Sequence, residues 1–437
     1  MISSRDEALE KAEKFLLHSL KLMPHTSRIV LVEGNGAILK DINGKEYIDG
    51  LSGCMGPLLI GHSHPKFIDA VERQVRKLTH HWLTFDNVPA IHLAEKLAEM
   101  TLGNLRKSYI APGGGDAVEA AIKLVMMQRG KGEVISLYSG YHGMSLGLTS
   151  LCGMSWRRNR IPGGTRWPGF QQIPNPYCYR CHFGLEYPGC DLQCAKALDS
   201  AIKFASSDNV AAFLLEVVQG PGGHIEFPKE YFSEIKDICE EHEVSIIADE
   251  VQTGLGRCGA MFASELYDFK PDVLVLGKAL GGGLPIGAAI FSEELTPAEL
   301  GNETWHSLTF ENNPLVCAVA LAVIDIIAEE KLVHRANELG NKCRKALKDL
   351  SQEYNIIGDV RGPGLFIGVE LVKDRVTKEP AVEEAERFVY SALDKGLITW
   401  TGGIGNVLKI KPPLTIREDQ MDSLVEILDQ TFKEVSK

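Results

Sequence analysis

The sequence predicts an α/β protein with a mainly parallel, doubly wound sheet, and three observations support this prediction. Apolar segments of strand length alternate with helical segments from about residue 66 to residue 315. Two of these apolar segments, residues 244–248 and 273–276, are continuous and rich in β-branched residues, which is typical of strands buried on both faces. Each of the two ends abruptly in polar or glycine-rich residues, where sheets of this kind place their chemistry.

Shorter elements precede this region. Residues 5–20 carry apolar side chains at helical spacing, up to Leu20, which predicts an amphipathic helix. Residues 28–49 form short extended runs broken by two glycine-containing turns, which predicts a small antiparallel meander. A helix is expected to begin at about Pro65. Within the predicted sheet region, further helices are expected near residues 88–101, 116–130 and 229–242, and further strands at 134–137 and 213–218.

The last third of the chain has a different pattern, in which helices and short strands predict an α+β arrangement. Helices are expected over residues 313–329, 334–352, 380–395 and 417–434, and strands near 357–361, 365–371 and 407–411. We therefore predict three parts: an N-terminal helix and meander in residues 1–60, a large domain in residues 61–315, and a small domain in residues 316–437 that the N-terminal part joins.

Composition excludes several classes of protein. The chain has 437 residues, 44% of them hydrophobic, which is enough for a large core. Its apolar runs are far shorter than the roughly 20 residues that a membrane span requires, and its N-terminus lacks the apolar core of a signal peptide. A cytoplasmic protein is therefore expected. The net charge of −12, without a basic stripe, argues against nucleic acid as a partner.

Four of the ten cysteines cluster in one segment, with the spacing C-x2-C-x8-C-x3-C. Such spacing can supply four thiolates to a structural zinc ion. The alternatives are a set of reduced, half-buried thiols or a redox C-x-x-C pair. A zinc ion here would stabilise a loop, and no metal is expected in the catalytic site. The four residues are Cys178, Cys181, Cys190 and Cys194.

Asp249 and Lys278 are candidate catalytic residues because Asp249 directly follows the apolar run 244–248 and Lys278 stands two residues beyond the run 273–276. A lysine amine can form an imine with the aldehyde of pyridoxal phosphate, and a carboxylate facing the ring nitrogen keeps that nitrogen protonated. Asp249 would be this carboxylate, and Lys278 the amine. The alternative is an ordinary ion pair.

Glycine-rich segments suggest two further interpretations. Gly254, Gly256 and Gly259 have the G-x-G-x-x-G spacing of dinucleotide-binding loops, but four residues separate them from the strand from which that motif should follow directly. The segment APGGGDA at residues 111–117 is a glycine turn that opens a predicted helix. Free backbone N–H groups and the positive end of the helix dipole would make this turn a phosphate-binding site.

The motifs ADEVQTGLGR at residues 248–257 and LGKALGGGLPIGA at residues 276–288 resemble those of the class III aminotransferases. This family, the ornithine/4-aminobutyrate-like subgroup II, belongs to the fold type I pyridoxal-phosphate enzymes. The resemblance implies that Lys278 forms the imine and that Asp249 pairs with the pyridine nitrogen. It also implies that Val251 packs on one face of the ring and that Gln252 hydrogen-bonds the ring oxygen.

Other residues receive roles from the same resemblance. The amides of Gly114 and Gly115 would bind the cofactor phosphate. Tyr141 would cover the open face of the ring, with His142 beside it, and Glu216 would lie behind these groups. Thr309, within the element T-F-x-x-N-P-L, would reach the cofactor phosphate of a partner subunit, which implies a homodimer with shared active sites.

The sequence also departs from the family pattern. Gly113 and Asp116 replace a serine and a glutamate near the phosphate, and Pro221 stands where an acid is common. The segment from Cys54 to Ile60, which includes Met55 on the substrate side, is one residue longer than usual. Lys409 replaces an arginine that grips the substrate carboxylate in many relatives, which predicts a looser grip on the substrate.

The sequence thus predicts a pyridoxal-phosphate-dependent aminotransferase. It would move an amino group from an amine or amino acid to a 2-oxo acid such as pyruvate or 2-oxoglutarate. Two alternatives use the same cofactor: an amino-acid racemase or epimerase, and a decarboxylating aminotransferase of the dialkylglycine type. A third alternative is a regulator that binds the cofactor without turnover.

Overall fold

The computed structural model describes residues 2–19, 23–159, 166–302 and 304–436. The α-helices of these residues are α1 (Arg5–Phe15), α2 (Pro65–Val75), α3 (Val88–Met100), α4 (Gly114–Arg129), α5 (Leu146–Leu151), α6 (Ser155–Arg158), α7 (Gln193–Ser200), α8 (Lys229–Glu241), α9 (Pro314–Glu329), α10 (Leu332–Glu353), α11 (Val382–Asp394) and α12 (Glu418–Val435). The ends of the long helices lie within two residues of the predicted ends, except in α1.

The strands fall into three sheets. A meander contains β1 (Leu31–Asn35), β2 (Ile38–Asp41) and β3 (Glu46–Asp49). The large sheet contains β4 (Leu105–Ala111), β5 (Glu133–Leu137), β6 (Phe170–Ile173), β7 (Val210–Glu216), β8 (Ser245–Asp249), β9 (Val273–Leu276) and β10 (Gly287–Ser292). The C-terminal part contributes β11 (Ile357–Arg361), β12 (Ile367–Leu371), β13 (Leu397–Ile398), β14 (Trp400–Gly402) and β15 (Val407–Ile410).

The large sheet confirms the predicted α/β fold with a mainly parallel sheet. Its strand order is β4-β10-β9-β8-β7-β5-β6, and β10 alone runs antiparallel to its neighbours. Strands β8 and β9 are buried along their whole length, as their continuous apolar sequences predicted. Because β7, β8 and β9 are adjacent and parallel, their carboxyl ends meet at one edge of the sheet.

The N-terminal meander is attached to the C-terminal part of the chain. Strand β3 pairs in parallel with β13, with Ile48 opposite Leu397. A separate four-stranded sheet has the order β11-β12-β15-β14. The pairing of β3 with β13 supports the predicted grouping of the two chain ends, whose boundaries at residues 60 and 315 stay a prediction.

The cysteine-rich segment between β6 and α7 is fastened to the C-terminal sheet. Tyr177 and Arg180 each bind the buried carboxylate of Glu370 on β12. Arg361 on β11 binds the same carboxylate at 2.8 Å and donates to the Tyr177 hydroxyl at 2.8 Å. These charge-assisted bonds join the segment to the sheet of the C-terminal part.

The N-terminal helix is shorter than the sequence predicted. It ends at Phe15, and Leu16 is already extended, with φ −104°. Phe15, Leu16 and Leu17 are exposed, so nothing in the described chain buries the apolar face that would extend the helix. Leu20 lies outside the described residues. No helix in the described ranges is long and apolar enough to cross a lipid bilayer.

Candidate active site

Asp249 is the last residue of β8, and the structure holds its carboxylate in a fixed orientation. The residue is 5% exposed, and its Oδ2 lies 2.8 Å from His142 Nδ1. Its Oδ1 accepts a hydrogen bond of 3.1 Å from the backbone N–H of Val251. Both carboxylate oxygens are thus hydrogen-bonded, and the group cannot rotate without losing a hydrogen bond.

Lys278 follows β9, the neighbour of β8, after one glycine. Its backbone has φ +41°, in the left-handed region that non-glycine residues rarely adopt and that often marks functional positions. Burial lowers the pKa of the Lys278 amine, although the nearby Asp249 and Glu216 carboxylates act in the opposite direction. A lowered pKa increases the fraction of the amine that is neutral and able to act as a nucleophile or base.

Glu250, the other acid at the end of β8, has a structural role. It is 1% exposed and accepts hydrogen bonds from the backbone N–H groups of Ala263, at 2.6 Å, and Ser264, at 2.8 Å. The Ser264 hydroxyl also donates to it at 2.6 Å. Glu250 therefore holds the start of a 3₁₀ turn. Asp249, together with Glu216, is near enough to act on the Lys278 amine.

The predicted phosphate-binding turn lies against the residues around Lys278. Helix α4 begins at Gly114, so Gly114 and Gly115 both lie in its first turn, and no side chain caps this end of the helix. A Cβ atom on Gly114 would lie 2.8 Å from Val251, and one on Gly277 would lie 3.1 Å from Gly114. Because no side chain caps the helix, its first-turn N–H groups are available to an anion, and the contact between Gly114 and Gly277 places them next to the residue that precedes Lys278.

Glu216, at the end of β7, connects two loops of the site. Its Oε1 accepts a hydrogen bond from the Tyr141 backbone N–H, and its Oε2 accepts one from Gly220, both at 2.9 Å. Burial raises the pKa of the Glu216 carboxyl to about 7, and Asp249 contributes in the same direction. Tyr141 is half-buried, whereas His142 is buried, and its Nε2 has no partner in the described residues.

Gln252 has an unexpected partner, Lys411. Lys411 Nζ donates a hydrogen bond of 2.9 Å to Gln252 Oε1, and the Lys411 side chain is fully buried. Sequence reasoning missed this lysine. It stands two residues after Lys409 next to a strand of otherwise apolar residues, and alternate residues of an extended segment share a face. That repeated lysine was the available signal.

Comparison with known proteins identifies the family. The model of the family described as aminotransferase class-III matches residues 22–432. The chain belongs to the class III aminotransferases. It is 36% identical to the leucine/methionine racemase of Thermococcus litoralis, with 98% of this chain and 97% of that protein covered.

Two other similar proteins are transaminases. The acetylornithine aminotransferase of Methanocaldococcus jannaschii is 35% identical, over 99% of this chain and 100% of that protein. The crystal structure of an amine transaminase from an uncultivated Pseudomonas species, in its pyridoxal-phosphate-bound form, is 30% identical. It superposes with a TM-score of 0.90 and covers 97% of this chain and 99% of that one. The predicted enzyme class is thereby confirmed.

This transaminase uses pyridoxal 5′-phosphate to move an amino group from an amine or amino acid to a 2-oxo acid. The described residues fit that cofactor. The close approach of Gly114 to Val251 forms a cradle that any Cβ would fill. Asp249 offers a buried carboxylate, and Lys278 offers an amine at the adjacent strand end. The donor set thus matches a phosphate, a pyridine nitrogen and an aldehyde.

The transaminase also has a group of cations near Tyr141. The Arg157 guanidinium stacks over the Tyr141 ring at 4.6 Å. Lys409 is 4% exposed, and burial, with Arg157 acting in the same direction, lowers the pKa of its amine to about 8. Cys54 acts in the opposite direction on Lys409, so the loop that carries Cys54 and Met55 lies near this lysine. No carboxylate of the described chain forms an ion pair with Lys409 or Arg157.

Thr309 lies away from this group of residues. Its side chain is exposed and lines a surface cavity of about 860 Å³ whose lining includes neither Lys278 nor Asp249. Trp82 and Phe310, at or next to the same cavity, are 71% and 59% exposed. Within one chain the structure therefore does not bring Thr309 to the other predicted site residues.

The clustered cysteines line one small cavity of about 20 Å³. All four are free thiols, and burial raises the pKa of Cys178 and that of Cys194, the latter to about 12. Over residues 2–19, 23–159, 166–302 and 304–436, no group of three or more His, Cys, Asp or Glu side chains is placed to hold a metal ion. The zinc alternative stays a prediction.

Proposed function

We propose that this transaminase acts on amino acids whose carboxylate is bound by Lys409 and Arg157. The observation that supports this proposal is that Lys409 and Arg157, which lie near each other, form no ion pair with a carboxylate of the described chain, and that Arg157 lies over the Tyr141 ring. Buried charges in proteins are normally paired, so unpaired cations in a ligand site favour an anionic ligand. Below a pH of about 8, where the Lys409 amine is protonated, the attraction for a carboxylate is strongest.

The proposed chemistry assigns a separate task to each residue. When bound, the cofactor supplies an aldehyde that bonds to amines and a ring that takes up an electron pair. Lys278 Nζ would hold the resting cofactor at its aldehyde carbon. Once the substrate amine has taken that place and released the Lys278 amine, Nζ would move the proton of the substrate α-carbon as general base. The Asp249 carboxylate would hold a proton on the ring nitrogen, with His142 keeping that carboxylate in place.

The remaining residues would bind and orient the ring. Backbone N–H groups of Gly114 and Gly115 would bind the phosphate at the start of α4. Val251 and Tyr141 would cover the two faces of the ring, and Gln252 would bind its phenolic oxygen. Glu216 fixes the loop that carries Tyr141 through the Tyr141 backbone N–H.

Racemisation is a second candidate function. One relative, at 36% identity over nearly the whole chain, is a leucine/methionine racemase. The Lys409 ammonium is a point charge, which attracts a carboxylate without fixing its plane as a guanidinium would. A loosely held substrate can present the Cα–H bond of either enantiomer to the base, so broad stereochemical tolerance is expected.

An assay with both enantiomers tests these proposals. The cofactor-loaded protein is incubated with L- and D-amino acids, with and without a 2-oxo acid, while both enantiomers and the keto product are measured. We expect amino transfer that requires the 2-oxo acid and accepts both enantiomers. Because Lys409→Arg adds a second parallel hydrogen bond, it should increase the ratio between the two enantiomers' rates about tenfold.

The same assay separates the outcomes. Inversion of the amino acid without any 2-oxo acid would favour the racemase. Strict use of one enantiomer, unchanged in Lys409→Arg, would contradict the proposed looseness of the carboxylate site. Lys229→Arg, on the exposed start of α8, is the matched control for a Lys-to-Arg change and should leave both rates as they are.

We further propose a homodimer in which Thr309 of each subunit contacts the cofactor phosphate of the other. Its exposed position, beside a cavity with exposed aromatic side chains, supports a location at a subunit interface. All ten cysteines are free thiols, which supports a reducing compartment such as the cytoplasm.

Hybrid dimers test the role of Thr309. Thr309→Ala should weaken cofactor binding about tenfold, because a hydrogen bond to a charged phosphate is lost. In a hybrid of one Thr309→Ala subunit and one Lys278→Ala subunit, a shared arrangement leaves one complete site. That site should bind the cofactor with the affinity of the unmodified dimer, as measured by equilibrium titration.

If Thr309 instead contacted the cofactor of its own subunit, the hybrid would retain no complete site. Its affinity for the cofactor would then stay as weak as that of the Thr309→Ala dimer. Thr304→Ala is the control, because Thr304 lines the same cavity and is exposed. It should leave cofactor affinity unchanged.

A further inference from the structure

Lys411 is a fully buried lysine whose surroundings are cationic. Its relative exposure is 0%, and its Nζ lies 5.9 Å from the centre of the Phe366 ring. Burial, together with Lys409, Lys278 and Arg257, lowers the pKa of its amine well below the usual range, whereas Cys54 acts in the opposite direction. No acid of the described chain forms an ion pair with it.

The hydrogen bond of Lys411 to Gln252 is therefore the main polar contact of this side chain. The donor is Nζ and the acceptor is Oε1, at 2.9 Å. Three further cations near Lys411 also favour the orientation in which Oε1, the negative end of the Gln252 amide dipole, faces Lys411. The reverse orientation would place the Gln252 NH2 group against an amine in a cationic environment, which is unfavourable.

The backbone of Gly220 packs against the Gln252 amide. A Cβ atom on Gly220 would lie 2.8 Å from Gln252 Oε1 and 2.9 Å from Nε2, so the amide fills the space beside that glycine. Oε1 is bound to Lys411, and no group of the described chain accepts a hydrogen bond from Nε2, at the other end of the amide. The Gln252 NH2 group thus has no acceptor within the described chain and is available to a ligand.

We propose that Lys411 is a positioning residue that fixes the Gln252 amide with its NH2 group toward the phenolic oxygen of the cofactor. This inference rests on the proposed contact between Gln252 and that oxygen. Lys411 does not touch the cofactor. It selects one of two amide orientations of nearly equal shape, only one of which places a donor at the oxygen.

The consequence is electrostatic. A donor at the phenolic oxygen stabilises negative charge on that atom, whereas a reversed amide would place Oε1 there and repel it. Without Lys411 the amide is free to turn. Cofactor affinity should then fall, and the pH at which the visible absorption of the bound cofactor changes should rise, because the deprotonated form loses its donor.

A double-mutant cycle on the cofactor-loaded enzyme tests this inference. The variants are Lys411→Met, Gln252→Ala and the combination, and the readouts are the dissociation constant of pyridoxal phosphate and the pH midpoint of the absorption change. Lys411→Met should weaken binding about tenfold and raise the midpoint by about one unit, the equivalent of one hydrogen bond. In the Gln252→Ala background, both effects should fall to less than about a third of those sizes.

Control variants address folding and charge. Methionine matches the length of lysine, and replacing a buried amine with an apolar group is often neutral for stability, which circular dichroism checks. Lys411→Gln keeps a donor and should bring the midpoint back toward that of the unmodified enzyme. Lys409→Met removes a neighbouring buried cation that does not bond to Gln252, so its effect should be the same in both backgrounds.

Two results would contradict the inference. One would refute the positioning role of Lys411, and the other would refute the contact of Gln252 with the cofactor. If Lys411→Met has equal effects with and without the Gln252 amide, Lys411 acts through its own charge and the positioning role is wrong. If Gln252→Ala alone changes neither affinity nor midpoint, the proposed contact of Gln252 with the cofactor is wrong, and the inference is lost with it.

Discussion

Lys278→Ala should abolish amino transfer, with a loss of at least about 10⁴-fold in kcat/KM, because one side chain supplies both the nucleophile and the proton-transferring base. The purified protein should also lose the visible absorption band that arises from the covalent bond between the amine and the cofactor. Steady-state kinetics and an absorption spectrum of the same sample measure the two effects.

The control is Lys278→Arg, which keeps a cation in the buried position but provides no nucleophilic amine at neutral pH. It should resemble the alanine variant in both measurements. Retention of both the absorption band and turnover in Lys278→Ala would show that another amine carries the chemistry.

Asp249→Asn should lower turnover about 100-fold while the cofactor still binds. The amide cannot hold a proton on the ring nitrogen by charge, and a pairing that shifts the ring pKa by two units corresponds to roughly 2.7 kcal/mol. Its oxygen can still accept the hydrogen bond from the Val251 N–H, so the local structure should persist. Kinetics and cofactor titration on the same preparation separate the two effects.

The neighbouring acid provides the matched control. Glu250→Gln removes a buried carboxylate that binds the backbone N–H groups of Ala263 and Ser264. It should lower the thermal midpoint and leave the turnover of the folded protein within about threefold, since Glu250 does not face the cofactor site. A near-normal rate in Asp249→Asn would instead mean that Asp249 does not pair with the ring nitrogen.

The sequence predicted the parts of the structure that depend on local pattern. Strands β8 and β9 have continuous apolar sequences, Asp249 ends β8, and Lys278 follows β9 after one glycine. Both strands and the edge of the sheet where these residues meet could therefore be inferred. The glycine turn before α4 was also predicted from the sequence, although the helix begins two residues earlier than expected. In each case the signal lies within a few residues of the feature.

The missed features depend on contacts between distant parts of the chain. Lys411 is 159 residues from Gln252, and no local pattern pairs them. Arg157 stacks on Tyr141 from a helix of only four residues, α6, whose sequence contains two arginines. Similarly, the hydrogen bonds of Asp249 to His142 and of Glu250 to Ala263 could not be inferred from the sequence, because these partners come from different loops. Tertiary packing decided these roles.

The pairing of β3 with β13 has a consequence for protein synthesis. The Ile48 N–H donates to Gly396 O at 2.7 Å, so the outer edge of the meander is completed by residues made about 350 positions later. At ribosomal rates of roughly 5–20 residues per second, that edge waits for roughly 17 to 70 s. An unpaired strand edge is a template for association with other chains. Chaperones that cover nascent chains would therefore protect this meander, and a chain that stops before β13 would expose its edge permanently.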